Sequence, residues 1–315
     1  MHRTRRLRRR SACGPAPVLD SEQTNHRGVV IVEVRLNAHA GQPLSTKVYY
    51  CDEEAFEVAS VIVMGKTDAV LIDAQWTLTS AHQVIAEIIA TGKKLKAIYL
   101  THAHPDHYFG AGVIAQAFPE ARIVAIPSEA ELMNSQFFGK VEIWENVIGA
   151  HNICRTSCHV ESLTEDHIDL EGQRLEIITG VMGDMAYNTM VWIPSIKTLY
   201  ASDVLFNQAH PFTCEITAPE RQQWVKEIEK IMAMDVDVII PGHARPGMPF
   251  DKSACEFTRE YLIATEEELA RTDTVGEFYY AMAERFRGAH LIHLSNEMNA
   301  NVFKGDRDWH WREEE

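Results

Sequence analysis

The chain has 315 residues, enough to bury a substantial core in one large domain, or in one domain with a helical annex. Its net charge of −15 argues against nucleic acid as a partner, and no apolar run approaches the ~18 residues of a membrane-spanning helix. The charge is uneven: Arg3, Arg5, Arg6, Arg8, Arg9 and Arg10 make the start strongly basic, yet no apolar stretch follows as a secretory signal requires. Residues 1–27, with Gly14, Pro15 and Pro17 among polar residues, read as a disordered basic leader. The six cysteines are dispersed, without a dense framework, which fits free thiols in a cytoplasmic protein.

From Gly28 to Leu36 β-branched residues predict a first strand, and Thr46 to Cys51 a second. Ser60 to Met64 and Ala69 to Ile72 read as a hairpin, with Asp73 directly after it. Ser80 and Gln83 have the spacing of a capping box, and Val84, Ile85, Ile88 and Ile89 supply an apolar helix face that Gly92 ends. Leu95 to Leu100 is then a strand.

That strand feeds IYLTHAHPDHYFGAG, the stretch around which the chain is organised. His102, His104, Asp106 and His107 put four potential metal ligands within six residues. His102 and His104 are two apart, so an extended backbone points them the same way. Imidazole and carboxylate donors suit zinc, and also manganese or iron(II). Pro105 stiffens the turn, and Gly110 and Gly112 permit close backbone approach. Ligands at the carboxyl end of a strand are where α/β sheets often place chemistry.

Beyond it, Val113 to Phe118 predicts a short helix, Arg122 to Ile126 a strand, and Pro127 to Met133 a helix. Residues 134–171 read as a less regular insertion beside the cleft. Within it, His151, Cys154, Cys158 and His159 are good zinc donors, but their spacing is looser than a structural zinc site uses, and packing is the favoured reading. Gln173 to Thr179, Thr189 to Ile193 and Lys197 to Ala201 read as strands, the last followed by Ser202 and Asp203. Phe206 to Phe212 reads as a loop over the cleft, with His210 a candidate substrate contact. Pro219 suits a helix start, Trp224, Ile228 and Ile231 share one helical face, and Val236 to Ile240 is a strand running into PGHARPG. Residues 251–315 read as a C-terminal helical extension, with helices over 254–270 and 275–287. Tyr261, Leu262, Leu269, Phe278, Met282 and Phe286 are available to pack on the domain or on a second copy in a homodimer. There is no P-loop, dinucleotide fingerprint or nucleophile elbow.

The run THxHxDH resembles the metal-binding signature of the metallo-β-lactamase fold superfamily, and the layout can be followed over about residues 28–250. The resemblance implies an α/β fold, the αββα sandwich of mixed sheets flanked by helices. It implies that His102 and His104 bind one metal and that Asp106 and His107 bind a second. It also implies that Asp203 lies between the metals, that His243 is the last histidine ligand, and that Asp73 supports the site from behind. Where the family has a further histidine, this chain has Val181 in TGVMGD, and valine cannot coordinate a metal. Three outcomes stay open: Asp184 enters the first site, only the second site holds its metal tightly, or catalysis is lost and a binding protein remains. The activity implied is hydrolysis of a small or medium ester, lactone, thioester or amide by metal-activated water, with Asp106 orienting the water. A metal-dependent oxygenase or redox enzyme is the alternative. The absence of a basic patch around the motif disfavours phosphodiesters.

Overall fold

Strict alternation builds the first sheet. In neighbouring strands Val48 and Tyr50, Val61 and Val63, and Val70 and Ile72 face one core, while Tyr49, Ile62 and Leu71 face another. Both faces are therefore apolar, and both are covered. The computed structural model describes residues 33–38 and 41–305; the basic leader, the start of the first predicted strand and Trp309 and Trp311 lie outside the described residues.

Strands β1 (Glu33–Asn37), β2 (Ser45–Tyr50), β3 (Ala59–Met64) and β4 (Asp68–Ile72) form an antiparallel meander. Helix α1 (Leu78–Thr91) crosses to β5 (Lys94–Tyr99), which lies parallel to β4. Helices α2 (Pro105–Tyr108) and α3 (Ala111–Ala117) lead to β6 (Arg122–Ala125), and α4 (Pro127–Ile148) leads to β7 (Glu161–Ser162), completing seven strands in sequence order. The second sheet contains β8 (His167–Leu170), β9 (Gln173–Val181), β10 (Asn188–Ile193), β11 (Thr198–Asn207) and β12 (Val238–Ala244), with β11 and β12 parallel. Helix α5 (Ala218–Ala233) joins those two strands, and α6 (Ser253–Arg271), α7 (Val275–Arg285) and α8 (Glu297–Lys304) follow.

Three cores make this an αβ/βα sandwich. One lies between the sheets, one under α1–α4, and one between the second sheet and the later helices. The C-terminal helices contribute Tyr261, Leu262, Phe278 and Met282 to the third core. Among the described residues, no helix is long and apolar enough to cross a membrane.

Several local expectations change. Helix α1 is capped by Thr77, whose hydroxyl accepts the Ser80 N–H at 3.1 Å; Ser80 is already inside the helix. Ile89 is 63% exposed and leaves the apolar face. Helix α4 runs to Ile148 because Ala130, Met133, Phe137, Val141 and Trp144 repeat at helical spacing and are buried. Residues 134–148 are thus regular helix. Phe206 and Asn207 belong to β11, not to the loop after it. Strand β12 extends to Ala244 and carries His243 within it.

Candidate metal centre

The site residues come from the segment after β5, including the short helix α2, from the turn after β4, from the loop after β9, and from within two neighbouring strands. The motif follows β5, Asp73 follows β4, and Asp203 and His243 lie in parallel β11 and β12. Close packing behind the motif requires glycine: a Cβ on Gly110 would come within 2.0 Å of the Ala74 carbonyl oxygen, and one on Gly112 within 1.9 Å of that of Thr156.

Two ligand clusters result. His102, His104, Asp184 and Asp203 form one, and Asp106, His107, Asp203 and His243 the other, with ligand atoms within 4.8 Å of one another in each. Asp203 belongs to both. Its Oδ2 lies 3.5 Å from His102 Nε2 and 3.2 Å from His243 Nε2, and its Oδ1 lies 3.1 Å from His107 Nε2. The four histidines are buried or nearly so.

The missing histidine is explained locally. Val181 ends β9, is buried, and packs in the core of the second sheet. Three residues further on, Asp184 Oδ2 lies 2.9 Å from His104 Nδ1, and its Oδ1 accepts from Asn188 Nδ2 at 3.1 Å. A carboxylate from the next turn of the loop therefore reaches the first cluster.

Partners outside the clusters aim the imidazoles. His107 Nδ1 donates to Asp73 Oδ2 at 2.7 Å, and His243 Nδ1 to the Phe56 carbonyl at 2.6 Å. His102 Nδ1 is paired with the hydroxyls of Thr101 and Ser202 at 3.1 and 3.3 Å. These bonds leave Nε2 of all three facing the centre. His104 is turned the other way: Glu215 takes Nε2 at 3.1 Å, leaving Nδ1 toward Asp184. Asp73 also accepts from Thr101 N–H and from the Tyr200 hydroxyl at 2.8 and 2.7 Å. Such bonds fix tautomer and ring direction in metal sites.

Helix α4 grips the motif from behind. The Ala103 peptide lies between His102 and His104. Its N–H donates to Glu129 Oε2 at 2.9 Å, and its carbonyl accepts from Lys140 Nζ at 2.6 Å. Burial pushes the Glu129 carboxyl up to about 7.

The centre demands positive charge. Burial opposes a cationic His104, yet Asp184 and Glu215 outweigh it and hold its pKa well above the ordinary value. For His107 burial is likewise outweighed, by Asp203, Asp73 and Asp106. Burial disfavours the Asp203 anion, but His107 and His243 hold its pKa well below the carboxylate range. His102 Nε2 and Asp203 Oδ1 are buried and make no hydrogen bond, although both belong to the clusters. Unsatisfied donor atoms at the centre of a carboxylate-rich cluster fit divalent cations.

His210, the candidate substrate contact, is buried away from this centre and shares a hydrogen bond of 2.9 Å with the Tyr261 hydroxyl; it does not line the cleft. His151 and His159 are exposed, and among the described residues the HxxCxxxCH run forms no ligand cluster. None of Cys51, Cys154, Cys158, Cys214 and Cys255 forms a disulfide. Glu215, Glu129 and Lys140 went unnoticed in the sequence. Glu129 looks like an ordinary acid in a first helical turn, and Glu215 sits in a loop with no periodicity to mark it.

The Metallo-beta-lactamase superfamily model matches residues 54–243. Among solved structures, a metallo-beta-lactamase from Pontibacter korlensis is 20% identical over 73% of this chain and 99% of its own, with a TM-score of 0.53. DIM-1 metallo-beta-lactamase is 19% identical over 73% of this chain and 97% of its own, with a TM-score of 0.52. VMB-1 is 18% identical over 74% of this chain and 98% of its own, with a TM-score of 0.54. At these identities the likeness is one of fold. No curated protein matches the chain.

Proposed function

Since the chain belongs to the metallo-beta-lactamase superfamily and carries its di-metal site in an atypical form, we propose that it is a metal-dependent hydrolase of a small or medium ester, lactone, thioester or amide. The observation that carries this reading is Asp203, shared by two ligand clusters and lining an open cleft. His102, His104, Asp184 and Asp203 would hold one divalent ion, and Asp106, His107, Asp203 and His243 a second. When bound, such ions supply Lewis acidity that activates water and polarises a carbonyl. Zinc suits the donors, and the added carboxylate shifts the first site toward manganese or iron(II).

The chain's own residues then do the following. Asp106, which lines the cleft, accepts a hydrogen bond from the attacking water and orients it. Asp73 keeps the proton of His107 on Nδ1, so that Nε2 presents its lone pair inward. Phe206 lies flat on His243, ring centroids 4.9 Å apart, and excludes water from that side. The cysteines, unbridged among the described residues, fit a reducing, cytoplasmic setting.

A second reading, an iron-dependent oxygenase or redox enzyme, draws on the set of two histidines and two carboxylates in the first cluster. Metal analysis after mild purification, joined to a panel of ester, lactone, thioester and β-lactam substrates, separates the two. Hydrolysis lost on chelation and restored by a divalent ion is expected. Metal-loaded protein that turns over nothing on the panel would reject the hydrolase.

A further inference from the structure

The cleft above the ligand clusters has an apolar wall. Its empty space, open solvent at the mouth included, is about 610 Å³. Phe56, Trp76 and Trp144 form one continuous surface, with centroids 4.6, 5.5 and 6.0 Å apart. Phe212 meets the His104 ring edge-on at 6.3 Å, so apolar surface reaches the ligands themselves. Met298 of α8 closes the wall.

That closing residue lies outside the segment matched by the family model, which stops at residue 243. It is nevertheless held firmly to the cleft. Asn299 Oδ1 accepts the N–H groups of Thr213 and Cys214 at 2.9 and 3.1 Å, and its Nδ2 donates to the Pro211 carbonyl at 2.8 Å. His290 Nδ1 is paired with Glu57 Oε1 at 2.6 Å, and Leu291 N–H donates to Glu53 Oε1 at 3.1 Å. The C-terminal segment is thereby fastened to the two loops that carry Phe56 and Phe212.

The polar lining is acidic apart from Lys140, Ser295 and the two histidines of the ligand clusters, His104 and His243. Asp106, Asp184, Asp203 and Glu215 are acidic, and Lys140 is the single lysine or arginine among the described lining residues. Lys140 is buried and already donates to the Ala103 carbonyl. Outside the ligand clusters, the cleft therefore presents mainly rings and a thioether to an acyl chain, and its carboxylates outnumber its single lysine, which disfavours an anionic group.

We infer that the hydrolase proposed above takes a neutral substrate with a medium-sized apolar acyl group, and that Met298 of the C-terminal segment sets the length of that group. The inference rests on the hydrolase reading for its catalytic arm only. Each buried methylene contributes about fourfold to binding, so a six-carbon acyl chain seated on this wall should gain at least about tenfold over acetyl.

The test uses the full-length, metal-loaded protein and N-acetylcysteamine thioesters of acetic, hexanoic, phenylacetic, dodecanoic and succinic acids. Expected values of kcat/KM are highest for hexanoyl or phenylacetyl, and at least about tenfold lower for acetyl and for anionic succinyl. Met298→Ala should move the optimum toward dodecanoyl, and Met298→Trp toward acetyl. A flat series, a preference for succinyl, or an order unchanged in both variants overturns the inference. If none of the thioesters turns over, the catalytic arm has failed, and calorimetric titration with 2-octanone and with levulinate decides the matter. Binding of the neutral ketone alone, weakened by Met298→Trp, sustains the inference; equal or absent binding of the two overturns it.

Discussion

Replacing Asp184 by Asn probes the atypical part of the centre most directly. The side chain is buried, lies 2.9 Å from His104 Nδ1, and belongs to the first ligand cluster but not the second. A four-ligand site in a small zinc domain binds with about 10–16 kcal/mol, so one ligand accounts for about 3 kcal/mol. Asparagine keeps a neutral oxygen and loses the charge, so the lower end applies: about 2.5 kcal/mol, or about 70-fold in the first dissociation constant. The second constant should change by less than about threefold, because only the shared Asp203 links the sites. Calorimetric titration with zinc and with manganese gives the two constants, and anomalous scattering from crystals assigns them to positions. Val181→His is the complementary change, but Val181 fills the core of the second sheet, so the imidazole should destabilise the fold without replacing Asp184. An unchanged first constant in Asp184→Asn, or an equal loss at both sites, would refute the assignment.

Two further outcomes follow from the partners of the motif, and a third from a histidine buried elsewhere in the fold. Asp73→Asn should weaken second-site metal binding by about 10–100-fold, read by metal titration, because His107 loses an anionic acceptor. Glu129→Ala leaves the Ala103 N–H without its acceptor, and should cost about 1–3 kcal/mol of stability in denaturant titration and about tenfold in first-site affinity. Glu129→Gln keeps an acceptor and should restore most of both; identical behaviour of the two variants would remove Glu129 from the positioning of the motif. For His210, burial lowers the pKa from 6.5 to about 4, so the folded state keeps this histidine neutral. Its contribution is complete above pH 6.5 and is lost as pH falls toward 4, up to about 3 kcal/mol, because only the unfolded chain takes up the proton in that window. Unfolding midpoints measured between pH 7 and 4.5 should fall less steeply in His210→Gln than in the parent.

The sheets were legible because β3 and β4 are short apolar runs rich in β-branched residues, with a turn between them, and the motif marked the end of β5. Helix α4 was cut short because Gly139 and a polar run hide its stripe, although Ala130, Met133, Phe137, Val141 and Trp144 carry the helical period. His210 misled for a different reason. A histidine beside Pro211 and Phe212 reads as surface loop, and only the fold reveals that Tyr261, about fifty residues away in the chain, buries it. Glu215 and Lys140 act on the motif across long sequence separations, and no local pattern encodes such pairing.

At the end of β9 the chain spends the expected ligand position on an apolar side chain that packs in the second core, and recovers a donor from the following turn. The donor recovered is an anion instead of a neutral imidazole. Three carboxylates, Asp106, Asp184 and Asp203, then share the two clusters, and Asp73 and Glu215 stand directly behind their histidines. Added negative charge stabilises a bound cation but makes it a weaker electrophile, so water there should lose its proton less readily than at a site with neutral ligands. The cost falls on the first site, where Asp184 stands. The second keeps its two histidines and two carboxylates, and with them Asp106, the residue assigned to the attacking water. On the proposed hydrolase reading, a chain that loses acidity at one ion and keeps the other intact would retain its means of activating water while favouring harder ions at the altered position.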